Sequence, residues 1–305
     1  METRPVRRAL VLSGGGGRGA YQVGVWRRLQ ELNWQPDLVC GTSIGSLNGA
    51  FICSGWGADD MEQLWYSLHQ KRVLRVSVWK RLKYRINTLL GRHPPWPALI
   101  DNGPLRDVLA EVLDEETLRQ AHPRLTVAAT NVRRAMVEYF SAEQLSIEHL
   151  LASCAIPVVF PWCEINGELY WDGGVLANTP VFPAIEAGAT EILVVMLSPA
   201  GGQVTDAPRT TREAVTRMFD LVTLGSSQSL SQALALQYGR DLKAHTRALA
   251  ESGEVVLGET RVGVVAPRID PGISSVLDLD PKHIGPRIEA GYRDATEQLA
   301  QFSNG

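Results

Sequence analysis

Residues 41–45 read G-T-S-I-G, a serine in G-x-S-x-G spacing that follows an apolar run at 36–41 and precedes small and apolar residues at helical spacing, Ile44, Leu47, Ala50 and Phe51. A sharp strand-to-helix turn of this kind needs glycine at Gly41 and Gly45, because side chains there would collide with neighbouring backbone, and it lifts the serine hydroxyl clear of the sheet. A helix that starts at Ile44 also aims unpaired backbone N–H groups and the positive end of its dipole at the hydroxyl. Ser43 is thus a candidate nucleophile for acyl transfer, with the N–H of Ile44 a candidate oxyanion donor. The structural alternative is a glycine-rich turn in which Ser43 merely caps a helix.

A second glycine cluster, Gly14-Gly15-Gly16-Gly17-Arg18-Gly19, follows the apolar run at 8–13. Unshielded amides at the carboxyl end of a first strand suit three kinds of anion site. A phosphate-binding P-loop is excluded, since Ala20 and Tyr21 stand where Lys and Ser/Thr are required. A dinucleotide site would take Asp37 as its ribose ligand, but Asp37 begins the second strand, whereas that acid belongs at its end. An oxyanion hole is the third reading, with the N–H groups of Gly15, Gly16 and Gly17 facing the attacked carbonyl and Arg18 bracing the loop.

A general base is also needed. His245 and His283 lie outside glycine-flanked strand-end loops. Asp172 ends the aromatic run L-Y-W-D and is followed by Gly173 and Gly174, which allow another backbone to approach closely. The alternative there is an ordinary Asp-Gly hairpin turn.

Together, G-G-G-G-R-G at 14–19, G-T-S-I-G-S-L-N-G-A at 41–50, A-S-C-A-I-P-V-V-F-P at 152–161 and D-G-G-V-L-A-N-T-P at 172–180 resemble the patatin-like phospholipases. The four blocks stand in the family's order and anchor the first 200 residues. The resemblance implies a three-layer α/β/α fold with a mainly parallel central sheet, and a Ser43–Asp172 dyad without histidine. It further implies an acyl-enzyme intermediate, the 14–19 loop as oxyanion hole, and phospholipid or another acyl-ester lipid as substrate. No cofactor or metal is called for. In the third block Pro157 shapes the chain, and Ser153 and Cys154 are expected to act as packing. Two alternatives stay open: an acyltransferase using the same acyl-Ser43, and a non-catalytic lipid- or nucleotide-sensing module. Tyr170 and Trp171 are expected to desolvate Asp172 and so raise its pKa.

The elements that must position these residues are strands at 8–13, 36–41, 125–130, 136–141, 191–197 and 261–266, and helices at 61–69, 104–113, 146–153, 180–187 and 284–302. One or two more helices are expected within 213–250. Residues 1–200 read as the catalytic core, and 201–305 as a helical elaboration whose last strand and helix pack back on it. With 305 residues, 45% of them hydrophobic, the chain can bury a large core. A net charge of −3 excludes a strong overall field for nucleic acid. Cys40, Cys53, Cys154 and Cys163 lack zinc-like spacing and read as buried free thiols. The sequence has neither a long apolar run nor a leader-like start, so a cytoplasmic protein is expected.

Within 60–100 lies a candidate lid. Residues 71–100 carry eight Lys or Arg and no Asp or Glu. Between Ser77 and Gly91, Trp79, Leu82, Ile86, Leu89 and Leu90 share one helical face while Lys80 and Arg81 lie away from it. That pattern suits either peripheral contact with an anionic membrane through 77–91 or packing on the core. The oligomeric state is not legible.

Overall fold

The computed structural model describes residues 7–68, 75–76, 86–90, 100–199, 207–210, 217–218, 221–222, 254–257, 260–268 and 277–299. Most of the expected 213–250 helices, His245, and residues 77–85 and 91 of the basic stretch lie outside the described residues.

The elements run β1 (Arg8–Leu12), α1 (Ala20–Glu31), β2 (Leu38–Thr42), α2 (Ile44–Cys53), α3 (Ala58–Ser67), β3 (Arg75–Val76), β4 (Ile100–Asp101), α4 (Gly103–Val112) and α5 (Glu115–Gln120). They continue as β5 (Arg124–Asn131), β6 (Met136–Ser141), α6 (Ile147–Ser153), β7 (Cys163–Ile165), β8 (Glu168–Asp172), α7 (Phe182–Glu186), β9 (Glu191–Val195), β10 (Glu254–Leu257), β11 (Thr260–Val265) and α8 (Pro281–Gln298). Strands β11, β9, β1, β2 and β5 are parallel in that order, and β10 adds an antiparallel edge. The molecule is an α/β fold with a central, mainly parallel sheet flanked by helices, as the strand-turn-helix pattern predicts.

The central strands are continuous apolar runs because both faces are covered. Leu10, Leu12, Val39, Leu193 and Val195 face a large core built with Val25 and Leu29 of α1, Phe51 of α2, Trp65 of α3, Leu150 of α6 and Ile288 of α8. Ala9, Val11, Cys40, Ile192 and Val194 face a smaller core with Val181 and Ala184 of α7.

One arrangement in the sheet governs the site. Strand β6 pairs antiparallel with β5 along 126–131, which uses up one edge of β5. The other edge is shared: β2 runs parallel to it as far as Thr42 opposite Ala128, and β8 comes in antiparallel, ending with Asp172 opposite Ala129. The ends of β2 and β8 therefore meet head to head.

The helix after the last strand closes the large core. α8 lies on α1 at close range because Gly24 and Gly291 remove the side chains at the crossing: a Cβ on Gly24 would meet the Ile288 carbonyl, and one on Gly291 the Tyr21 carbonyl. The Tyr21 hydroxyl also donates to Asp294 Oδ2 at 3.1 Å in the buried seam.

The sequence reading places most elements within a few residues of their positions. Helix α5 was not anticipated: its six residues carry no apolar period, and it is defined by a cap in which the Thr117 N–H donates to Asp114 Oδ2 at 2.8 Å. Cys40, Cys53 and Cys163 are buried free thiols, and Cys154 is half-buried and free. Among the described residues no helix is long and apolar enough to cross a membrane.

Because the Gly291 contact is with backbone, which cannot rotate away, Gly291→Val should destabilise the fold by about 3 kcal/mol or more. A urea or thermal denaturation series checks this, and an unchanged midpoint would contradict the crossing described here.

Candidate active site

Ser43 sits at the turn between β2 and α2 with φ 53° and ψ −126°, a conformation that costs a non-glycine residue of order 1–3 kcal/mol. The turn closes only because both flanks are bare. A Cβ on Gly41 would lie 2.5 Å from the Gly45 carbonyl oxygen, and one on Gly45 would run into the Leu12 carbonyl. The strained peptide is held from two sides. The Ser43 N–H donates to Ser153 Oγ at 2.9 Å, and that hydroxyl donates onward to the Ala128 carbonyl at 2.7 Å. The Ser46 hydroxyl donates to the Ser43 carbonyl at 2.6 Å.

The Ser43 side chain does not cap the helix. Its hydroxyl instead donates to Asp172 Oδ2 at 2.6 Å, across 129 positions of sequence. Both residues are buried, Ser43 at 6% and Asp172 at 5% exposure, so the bond lies in a poorly solvated environment. Asp172 Oδ1 accepts the Gly174 N–H at 2.7 Å, while the Asp172 main chain bonds Ala155 through its N–H and Thr130 through its carbonyl. Burial pushes the carboxyl up from its ordinary 3.8 to about 7, against the lowering effect of the Ser43 and Gly174 hydrogen bonds. Tyr170, expected as a desolvating neighbour, turns its hydroxyl to Glu138 at 2.6 Å and its ring edge-on to Phe140; Trp171 is half-buried.

The loop at 14–19 runs alongside. A Cβ on Gly14 would lie 3.1 Å from Ser43 Cβ and 2.5 Å from Asn178 Oδ1. The Gly14 N–H is used by the Asn178 carbonyl at 3.0 Å and the Arg18 N–H by the Gly15 carbonyl at 3.3 Å. No acceptor among the described residues takes the N–H groups of Gly15, Gly16, Gly17 or Ile44. Gly16 to Gly19 form one turn of 3-10 helix, with Arg18 buried and its guanidinium near the Leu197 carbonyl.

Several expectations are revised. Ser153, taken as packing, is the acceptor for the Ser43 N–H, a role that only the three-dimensional contact reveals. Asp37 accepts the N–H groups of Arg7 and Arg8 at 3.0 Å each, at the amino end of β1 and so at the opposite edge of the sheet from the glycine loop, which removes the ribose-ligand reading. Gly173 approaches the Ala128 carbonyl closely, and the Asp-Gly pair opens a short 3-10 turn instead of a hairpin. The hairpin turn lies upstream at Asn166 and Gly167, both with positive φ, between β7 and β8. His283 is exposed and bonded to Asp278 at 2.7 Å. Among the described residues no cluster of His, Cys, Asp or Glu is arranged to hold a metal.

The structure thus joins a strained serine at a strand-to-helix turn to a buried carboxylate, beside a glycine loop. Residues 10–185 match the patatin-like phospholipase family, and the chain belongs to it. It is 29% identical over 192 residues to a cGAMP-activated phospholipase of Pseudomonas aeruginosa, covering 58% of this chain and 55% of that one. It is 27% identical over 214 residues to an uncharacterized NTE family protein of Mycobacterium tuberculosis, covering 70% and 55%. A lysophospholipase of Debaryomyces hansenii matches at 26% over 186 residues, covering 61% of this chain and 11% of that protein. The chain thus spans about half the length of the first two relatives.

The raised carboxyl makes a stability prediction. Between pH 3.8 and about 7 the folded chain keeps a proton that the unfolded chain has lost, so the stabilisation from a neutral Asp172 is complete below pH 3.8 and disappears as pH rises through about 7. Asp172→Asn stays neutral and should be more stable than the parent above pH 7, by up to about 4 kcal/mol at about 1.4 kcal/mol per unit. The gap should close toward pH 4. Paired melting curves across that range measure it, and a gap that is constant with pH would contradict the raised value.

Proposed function

We propose that this protein hydrolyses the acyl ester bonds of phospholipids or related lipids, as a phospholipase A- or lysophospholipase-type enzyme. The observation that carries this reading is the 2.6 Å hydrogen bond from Ser43 Oγ to Asp172 at the strained turn. Asp172 accepts the hydroxyl proton as Ser43 Oγ attacks the acyl carbonyl carbon. The N–H groups of Gly15, Gly16, Gly17 and Ile44 meet the oxyanion, each such donor contributing about 3 kcal/mol to the transition state. The intermediate collapses, the leaving alkoxide takes the proton back from Asp172, and acyl-Ser43 remains. Water then attacks with Asp172 again as base, and fatty acid leaves as the serine is restored. A carboxylate with an ordinary pKa is a weak base for a hydroxyl, and burial is what strengthens this one.

Family membership and relatives named as phospholipases support a lipid substrate. Access to it is proposed through the basic 77–91 stretch at a membrane surface. In its described part Ile86, Leu89 and Leu90 are 49%, 86% and 65% exposed, which leaves their apolar side chains free for lipid.

A fluorophosphonate probe should label the parent and not Ser43→Ala, and chromatography of mixed vesicles should show fatty acid and lyso-lipid only with the parent. Equal labelling of both would overturn the assignment. The kcat/KM should fall about tenfold per pH unit below about pH 7, where Asp172 takes up its proton, and level off above it. A profile flat from about pH 5 to 8 would contradict Asp172 as base. Leu89→Gln with Leu90→Gln should weaken sedimentation with anionic vesicles several-fold while leaving hydrolysis of a soluble ester intact, and undiminished sedimentation would remove the membrane-contact role.

A further inference from the structure

The glycine loop has a weakness that the chemistry above cannot tolerate. Its amides are useful only if they hold one orientation, yet glycine peptides rotate with little steric resistance, and each alternative orientation swaps an N–H for a carbonyl that would repel an oxyanion. Gly14 is held by Asn178, and the peptide between Gly17 and Arg18 is held on its nitrogen side by the 3.3 Å bond from the Arg18 N–H to the Gly15 carbonyl.

The carbonyl side of that same peptide is held from the other end of the chain. Arg287 Nη1 donates to the Gly17 carbonyl at 3.1 Å and to the Asp278 carbonyl at 2.9 Å, while Nη2 pairs with Asp278 Oδ2 at 2.6 Å. The Arg287 side chain is 15% exposed, and its planar fork meets three acceptors at once, so it has little freedom to rotate. Its backbone is equally fixed, since Arg287 precedes by one residue the Ile288 carbonyl that packs against Gly24, on the helix that begins one residue after the loop.

We propose that Arg287 is a positioning residue for the oxyanion loop: by holding the Gly17 carbonyl, on the peptide that follows the three donors, it restrains the turn that carries the Gly15–Gly17 amides. The inference rests on the Ser43–Asp172 reading above. It assigns to a residue of α8, which lies beyond the matched family region at 10–185, a part in setting the site. Arg287 touches no reacting atom. Its contribution is preorganisation, removing loop conformations that would otherwise have to be frozen out at the transition state.

The test uses Arg287→Lys and Arg287→Ala in the full chain, with a soluble p-nitrophenyl ester and a fluorophosphonate. Loss of the clamp should lower kcat roughly tenfold to a hundredfold with KM changed less than about twofold, the scale expected from a small displacement of catalytic groups. Phosphonylation of Ser43 should slow in parallel. Millimolar guanidinium should restore part of the Arg287→Ala rate, and methylammonium should not. Amide hydrogen exchange at 14–19 should quicken in both variants while β1 and β9 stay protected, a readout that needs no activity and separates loop loosening from general unfolding. Parent-like kcat and unchanged loop exchange in variants of a labelling-competent parent would overturn the positioning role alone. Failure of the parent itself to label at Ser43 would instead overturn the hydrolase reading and this inference with it.

Discussion

The hydrogen bond between Ser43 and Asp172 depends on a constraint in the sheet: two strands of opposite direction must end against adjacent residues of a third. β2 stops at Thr42 opposite Ala128, and β8 stops at Asp172 opposite Ala129. The head-to-head meeting turns a separation of 129 residues into a 2.6 Å contact without calling on any flexible loop. It also explains why the neighbouring groups cluster around β5. Ser153, which takes the Ser43 N–H, is anchored on the Ala128 carbonyl, and Thr130 holds the Asp172 carbonyl. A one-residue slip of β8 would turn the carboxylate to the other face of the sheet. The N-G hairpin at 166–167 and the β7–β8 pairing oppose that slip.

Holding the carboxylate there works against folding. Water would keep Asp172 ionised at lower pH, and burial makes its charged form expensive, so the feature that raises its pKa also weakens the native state as pH rises. The positive φ of Ser43 is a second local strain at the same spot. Both are compensated by the surrounding core: α1, α2, α3, α6 and α8 cover one face with a single contiguous apolar cluster.

What the sequence reveals follows from the range of the forces involved. The turn at 41–45 is legible because its steric requirement is local, and glycine at both flanks reports it directly. The central strands are legible because burial on two faces leaves uninterrupted apolar runs, as in E-I-L-V-V of β9. The proximity of Asp172 to that turn came from linked motifs and not from any periodicity, and the Asp-Gly pair was open to a hairpin reading although the stronger signal, Asn166-Gly167, stood nearby. Ser153 and Arg287 were not legible in their roles. Each acts on a backbone group more than 100 positions away, through a contact that leaves no trace in spacing or composition. Asp37 shows the converse, a residue whose distance from a glycine motif suggested a ligand while its carboxylate ties the start of β2 to the start of β1.

The crossing of α1 and α8 bears on how the chain reaches this state. Strand β1 finds its partner β9 only after about 180 further residues have been made, and Gly24 finds its seat on Ile288 later still. At ribosomal speeds of roughly 5–20 residues per second, the first helix waits on the order of 15 to 60 seconds for the surface that buries it. Through that interval its apolar stripe, Val25 and Leu29 among it, is without the α8 side of its native cover. Such topologies are slow to assemble, and their apolar surface is open to wrong partners meanwhile.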